Sequence, residues 1–156
     1  MASEMRSELG DFCSVICMKA IIVGIEEALG EKATAIALIS AGRARGKQLV
    51  ESLGLAGKSI PLEDLTSKMA FALGKDGTRL LLLDKIEQEG ELYRVYARET
   101  VCSSGEAVGS GRQCTFTLGA VQGALEAITG KRFRGKQIES VLRGGTHDAF
   151  EYAPIG

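Results

Sequence analysis

The side chains that could carry chemistry in this chain are few and scattered. One histidine, His147, stands beside Asp148; cysteines occupy 13, 17, 102 and 114; and Glu99, Glu106 and Glu139 could converge only through folding. A lone His–Asp neighbour pair just past a turn does acid–base work only where a cleft and partners perturb it. There is no Cys-x-x-Cys and no His-Glu-x-x-His, so zinc has no local scaffold. Cys13 and Cys17, one helical turn apart, could ligate a metal with distant partners, but read better as small buried hydrophobes. The run GSGRQC (Gly109 to Cys114) leads into a helix start, where anions can bind, yet it carries no Walker lysine and no strand of a parallel unit immediately precedes it. Gly109-Ser110-Gly111 lacks the spacing of a nucleophile elbow. No metal site, cofactor fingerprint or catalytic set is assembled by these residues, and a binding module fits better than an enzyme.

The elements that must position anything bound are organised around Gln113 to Gly130. Cys114, Leu118, Val121, Leu125 and Ile128 recur at steps of four and three, so they share one helical face. Gly119 and Gly123 lie close to that stripe. Each interior glycine costs a helix about 1 kcal/mol against alanine, which points to a contact that offsets the loss. Gly42 and Gly46 repeat the four-residue spacing in an earlier helix. Tight packing of another backbone and room for a ligand both satisfy these glycines. The expected ligand-binding residues are therefore Gly42, Gly46, Cys114, Leu118, Gly119 and Gly123.

In chain order, residues 1–10 read as a mobile lead-in and 11–156 as a single domain. A helix capped by Asp11 should run to Leu29 and stop at Gly30, with apolar residues spread round much of its circumference. A second should cover Ala33 to Leu53; its cluster Arg43, Arg45 and Lys47 reads as a solvated face. Pro61 opens a third, which Gly74 ends. Arg79 to Glu87, with four consecutive leucines, reads as a strand apolar on both faces and so central in its sheet. Its hairpin partner runs from Tyr93 to Val101. CSSGEAVGSG (Cys102 to Gly111) is the most loop-like segment and would suit a pocket rim. Lys131 to Arg143 and Thr146 to Ala153 form a second hairpin around Gly144-Gly145. The fold class is α+β: a twisted antiparallel sheet of two hairpins with about four helices packed on one face.

Composition sets outer limits. The chain has 156 residues, 45% hydrophobic and 25% charged, with a formal net charge of −1. That suits a globular core and gives no electrostatic case for nucleic acid or an anionic membrane. The longest apolar stretch, Val15 to Ile25, is too short to cross a bilayer. With no secretory signal at the start, the expectation is a cytoplasmic protein whose cysteines are buried free thiols.

From Cys114 onward the chain resembles the C-terminal half of the 4-vinyl reductase, or hydrocarbon-binding, domain family. The residues that carry the likeness are Cys114, Gly119, Gly123, Gly130-Lys131, Glu139, Gly145, Phe150 and Tyr152. ISAGRARG (Ile39 to Gly46) looks like the family's glycine-bearing second helix, and the likeness extends from about residue 12. It implies a fold shared with TRAPP subunits and haem nitric-oxide sensors, a homodimer, and an internal pocket for an apolar small molecule or a tetrapyrrole. The pattern departs at one place. Many members carry two cysteines in the final hairpin, where this chain has Leu142 and Phe150, which argues against a metal or redox site there and against reductase activity. The readings that follow are a hydrophobic-ligand binding or sensing domain, a protein–protein assembly subunit, or an accessory or enzyme of tetrapyrrole metabolism.

Overall fold

The computed structural model describes residues 5–156; residues 1–4 of the expected lead-in lie outside them. Helices α1 (Val15–Leu29), α2 (Glu31–Ser52) and α3 (Leu62–Leu73) precede strands β1 (Leu82–Glu89) and β2 (Leu92–Arg98). Helix α4 (Thr115–Thr129) follows, then β3 (Phe133–Glu139), a short 3-10 turn at Val141–Arg143, and β4 (Asp148–Pro154). The strands form one antiparallel sheet in the order β1-β2-β4-β3, so two hairpins meet along β2 and β4. The expected α+β class is the observed one.

Helix α4 occupies the middle of the molecule, buried at every position from Thr117 to Leu125. One side lies on the inner sheet face, where Val95, Phe150, Tyr152 and Phe133 are at most 1% exposed. The Tyr152 hydroxyl donates to the Leu118 carbonyl at 2.8 Å, and the Gln122 amide donates to the Phe133 carbonyl at 2.9 Å. The other side of α4 meets α2 with backbone against backbone. A Cβ on Gly42 would strike the Phe116 carbonyl oxygen and one on Gly46 the Ala120 carbonyl oxygen. Conversely, Gly119 faces the carbonyl of Ile39 and Gly123 that of Arg43. The outer sheet face is wet: Arg94 bridges Glu89 and Glu151 across neighbouring strands.

Several boundaries differ from expectation, each for a local reason. Helix α1 starts at Val15, with the Ser14 hydroxyl accepting from the Ile16 N–H. Asp11 instead accepts the N–H groups of Met5 and Arg6, so it caps a preceding turn. The leucine run is not a central strand. Leu80 and Leu81 donate their N–H groups to the Leu73 carbonyl before the strand begins, so their burial comes from the end of α3. β1 itself is a sheet edge. β2 ends at Arg98, because Glu99 takes a left-handed backbone (φ 52°). The second hairpin breaks after Glu139: the Ser140 hydroxyl accepts from the Leu142 N–H and starts the 3-10 turn.

The cysteine expectation is overturned. Cys102 and Cys114 form a disulfide, while Cys13 and Cys17 are both free and exposed. Sequence spacing could not reveal this, because the pair is joined only when the 102–113 loop folds back onto the start of α4. No helix among the described residues is long and apolar enough to cross a membrane.

Candidate functional site

A cavity of about 540 Å³ lies between α1, α2, the 101–113 segment and the first turn of α4. Its apolar wall is made by Met18 and Ile22 of α1, Ala35 and Leu38 of α2, Val101 and Phe116. The breadth of α1's apolar circumference is explained in part here: Ile22 turns inward while Ile16 and Ile21 remain 76% and 60% exposed. The loop expected to suit a rim does line the cavity, through Cys102, Glu106, Ser110 and Gly111.

The opposite wall is charged and closed on itself. Lys19 donates to the Glu106 carboxylate at 2.9 Å and to the Cys102 carbonyl at 2.7 Å. Arg112 donates from Nε to Glu106 at 2.8 Å and from Nη1 to Glu26 at 2.7 Å. The loop is thus latched to α1 by a chain of charge-assisted bonds, stronger than neutral ones. The Lys19 and Arg112 bonds, in that order, outweigh partial burial and hold the Glu106 carboxyl down to about 2, against an ordinary 4.5.

The sign of the resulting pH dependence follows from linkage. Glu106 is more acidic folded than unfolded, so its contribution is present at and above pH 4.5 and is lost as pH falls towards 2. We expect the thermal midpoint of the native chain to exceed that of Glu106→Gln at pH 7. The gap should shrink below pH 4.5 and close near pH 2. A gap independent of pH would show that the latch does not stabilise through the ionised carboxylate.

None of the six residues expected to bind ligand lines this cavity. Gly42, Gly46, Gly119 and Gly123 sit in the α2–α4 seam, and Gly123 also borders a separate recess of about 390 Å³ with Arg43 and Lys47. Leu118 packs in the core, and Cys114 is bridged to the cavity-lining Cys102. The three carboxylates singled out in the sequence do not meet: Glu106 is in the latch, Glu139 accepts the His147 N–H at 2.7 Å, and Glu99 ends β2. His147 pairs through Nε2 with Asp84 at 2.8 Å, outside the cavity. The lining residues that sequence reasoning passed over are chiefly Met18, Ile22, Glu26, Ala35 and Leu38. Two signals were legible: the 102–111 segment expected as a rim, and Arg112 inside the GSGRQC run already noted at a helix start.

Beneath the loop lies a buried polar knot. Asp148, fully buried, accepts from the Thr100 hydroxyl at 2.6 Å, the Ser103 hydroxyl at 2.7 Å and the Val141 N–H at 3.1 Å. It ties the end of β2, the loop and the second hairpin to β4.

No family model matches the chain, and no curated protein matches it in sequence. Solved structures do match in shape. The phenol-responsive sensory domain of the transcription activator PoxR, solved with phenol, superposes with a TM-score of 0.73 at 12% identity, over 92% of this chain and 76% of that one. Trafficking protein particle complex subunit 3 from Naegleria fowleri, covalently bound to palmitic acid, gives 0.62 at 12% identity, over 91% and 93%. A vinyl-4-reductase family protein from Methanocaldococcus jannaschii gives 0.57 at 18% identity, over 96% and 86%. The chain therefore has the fold common to these three proteins, as the resemblance read from its C-terminal half implied.

Proposed function

We propose that residues 11–156 form one small-molecule binding or sensing domain, which takes an apolar ligand into the cavity between α1, α2 and the 101–113 segment. The observation that carries the reading is the cavity itself: about 540 Å³, with Met18, Ile22, Ala35 and Leu38 supplying apolar surface on the helix side beside Glu26, Glu31, Lys32 and Thr34, in the size range of small-molecule sites. Glu26, Arg112 and Glu106 in its wall are already paired, so they would orient a ligand's polar end without requiring a charge on it. Two proteins of the same fold are described with an apolar or amphipathic molecule bound, phenol in one and palmitic acid in the other. In this reading Gly42, Gly46, Gly119 and Gly123 act by seating α4 against α2, with Leu118 and Cys114 anchoring the start of α4. They contribute to binding by shaping the site. The protein works in the cytoplasm as a homodimer, with the exposed apolar residues Ile16, Ile21 and Ile36 available to a second copy.

The test is a titration with Nile red, a neutral apolar dye, against the native chain and Ala35→Trp. The indole would occupy the cavity from the α2 side. Saturable binding is expected in the native chain, weakened in the variant by about tenfold or more, equivalent to ~1.4 kcal/mol, at unchanged thermal stability. Equal affinity in both proteins would place any binding elsewhere. Sedimentation of the same samples reports the dimer; a monomer at all concentrations would remove that part.

A second reading, an assembly subunit, is favoured by the same exposed helix residues and by the likeness to a trafficking-complex subunit. It predicts that Ala35→Trp is silent.

A further inference from the structure

We infer that the Cys102–Cys114 disulfide is a reversible strap that sets the affinity of the cavity, tight when oxidised and weak when reduced. The inference rests on the ligand-binding reading above. The two half-cystines are 12 residues apart, with Cα atoms 5.2 Å apart, and the loop's share of the cavity lining, Glu106, Ser110, Gly111 and Arg112, lies wholly between them. Both ends of that wall are therefore held by one covalent bond. Cys102 also lines the cavity, and its carbonyl accepts from Lys19, so the strap and the ionic latch share a residue.

The surroundings suit both redox states. Thr100 Oγ1 lies 3.4 Å from the Cys102 sulfur and 3.6 Å from that of Cys114, and Ser103 Oγ lies 3.7 Å from the Cys114 sulfur. Both hydroxyls give their protons to Asp148, which leaves their oxygen lone pairs facing the sulfurs. A thiol formed at either position finds an acceptor, so reduction leaves no buried donor unpaired. In a reducing compartment, moreover, disulfides are mostly transient or redox-sensing.

The exchange balances with a dithiol as reductant. One dithiol thiolate attacks the Cys102 sulfur, the one that borders the cavity; the S–S bond breaks and Cys114 leaves with the electron pair and takes a proton. The second dithiol sulfur then displaces Cys102, which is protonated in turn, and the reagent departs as its cyclic disulfide. The protein has gained two electrons and two protons. The wall then keeps its non-covalent holds alone: the Lys19–Glu106–Arg112–Glu26 chain, the Gly109 N–H on the Leu142 carbonyl, and Arg143 on the Ser110 and Arg112 carbonyls.

The coupling is reciprocal. If oxidation tightens binding by some factor, bound ligand must favour the oxidised pair by the same factor. The experiment uses the full chain carrying Cys13→Ser and Cys17→Ser, so that only the strap titrates, with the redox state verified by thiol alkylation and mass. Nile red should bind the dithiothreitol-reduced form about 5- to 150-fold more weakly than the oxidised form, the usual span of such couplings. In a fixed dithiothreitol buffer, saturating dye should raise the ratio of oxidised to reduced protein by the same factor. Cys102→Ser should bind weakly and ignore the reductant. Equal affinity in the two verified states would overturn the strap while leaving the ligand reading intact, as would a pair that remains as free thiols in aerated folded protein. Absence of saturable binding in either state would overturn both.

Discussion

Replacing Gly46 by alanine is expected to destabilise the protein by about 3 kcal/mol, at the upper end of ordinary overpacking effects, and replacing it by valine to leave no folded protein. A Cβ at Gly46 meets the carbonyl oxygen of Ala120, the backbone nitrogen of Ala124 at 2.8 Å and the carbonyl carbon of Ala120 at 2.9 Å. All of these are main-chain atoms, so no side chain can swing away. Nor can α4 retreat, because its far side is bonded to the sheet through Tyr152 and Gln122. The helix-propensity gain of about 1 kcal/mol for alanine over glycine is too small to compensate. Gly24, in the middle of α1, supplies the control: a Cβ there meets nothing within 4 Å. Gly24→Ala should stabilise by about 0.5–1 kcal/mol. Thermal unfolding followed by circular dichroism reads both. The Gly46 variant should melt roughly 6–12 °C lower, taking about 2–4 °C per kcal/mol for a chain of this size. An unchanged or raised midpoint for Gly46→Ala would mean that α2 and α4 do not cross as closely as described.

The second large effect is expected at Asp148. Truncation to alanine strips acceptors from Thr100, Ser103 and the Val141 N–H in a place that water does not reach. An unpaired buried donor costs about 1–3 kcal/mol. The two hydroxyls can rotate towards other partners, so the total should be about 3–5 kcal/mol, among the larger single-residue losses. Asp148→Asn keeps one carbonyl acceptor and gives an amide that both hydroxyl oxygens can accept from, so it should cost clearly less. Urea unfolding of the two variants gives the comparison. The local consequence is as diagnostic as the global one. Because Asp148 ties down the root of the 102–113 loop, limited proteolysis of the alanine variant should cut within that loop before the rest of the chain. Indistinguishable stabilities for Asp148→Ala and Asp148→Asn would show that the hydrogen bonds are not what holds the loop.

Much of this architecture was legible before folding was considered, because its signals are local. Alternating steps of four and three identified the face of α4, and glycine marked the ends of α1, α3 and α4. The two hairpins were readable from turns flanked by alternating strands. The same local logic failed with the leucine run, whose double-sided burial came from packing against α3, and at Val141 and Leu142, where Ser140 turned an expected strand into a 3-10 turn.

The glycine pairs show where the division falls. Their spacing announced that something comes close to two helices, and left open whether it was a backbone or a bound molecule. Tertiary packing decided for the backbone, since each glycine faces a carbonyl of the other helix. A pocket was expected, but its helix wall and ionic latch went unseen for a related reason. Lys19 reaches Glu106 across 87 residues and Arg112 reaches Glu26 across 86, and neither separation has a period or a motif. Periodicity and punctuation report how a segment meets its immediate neighbours along the chain, and they determined the elements here. Which elements then enclose a space, and which two sulfurs meet beside it, depends on how α1, α2 and the loop pack around the start of α4.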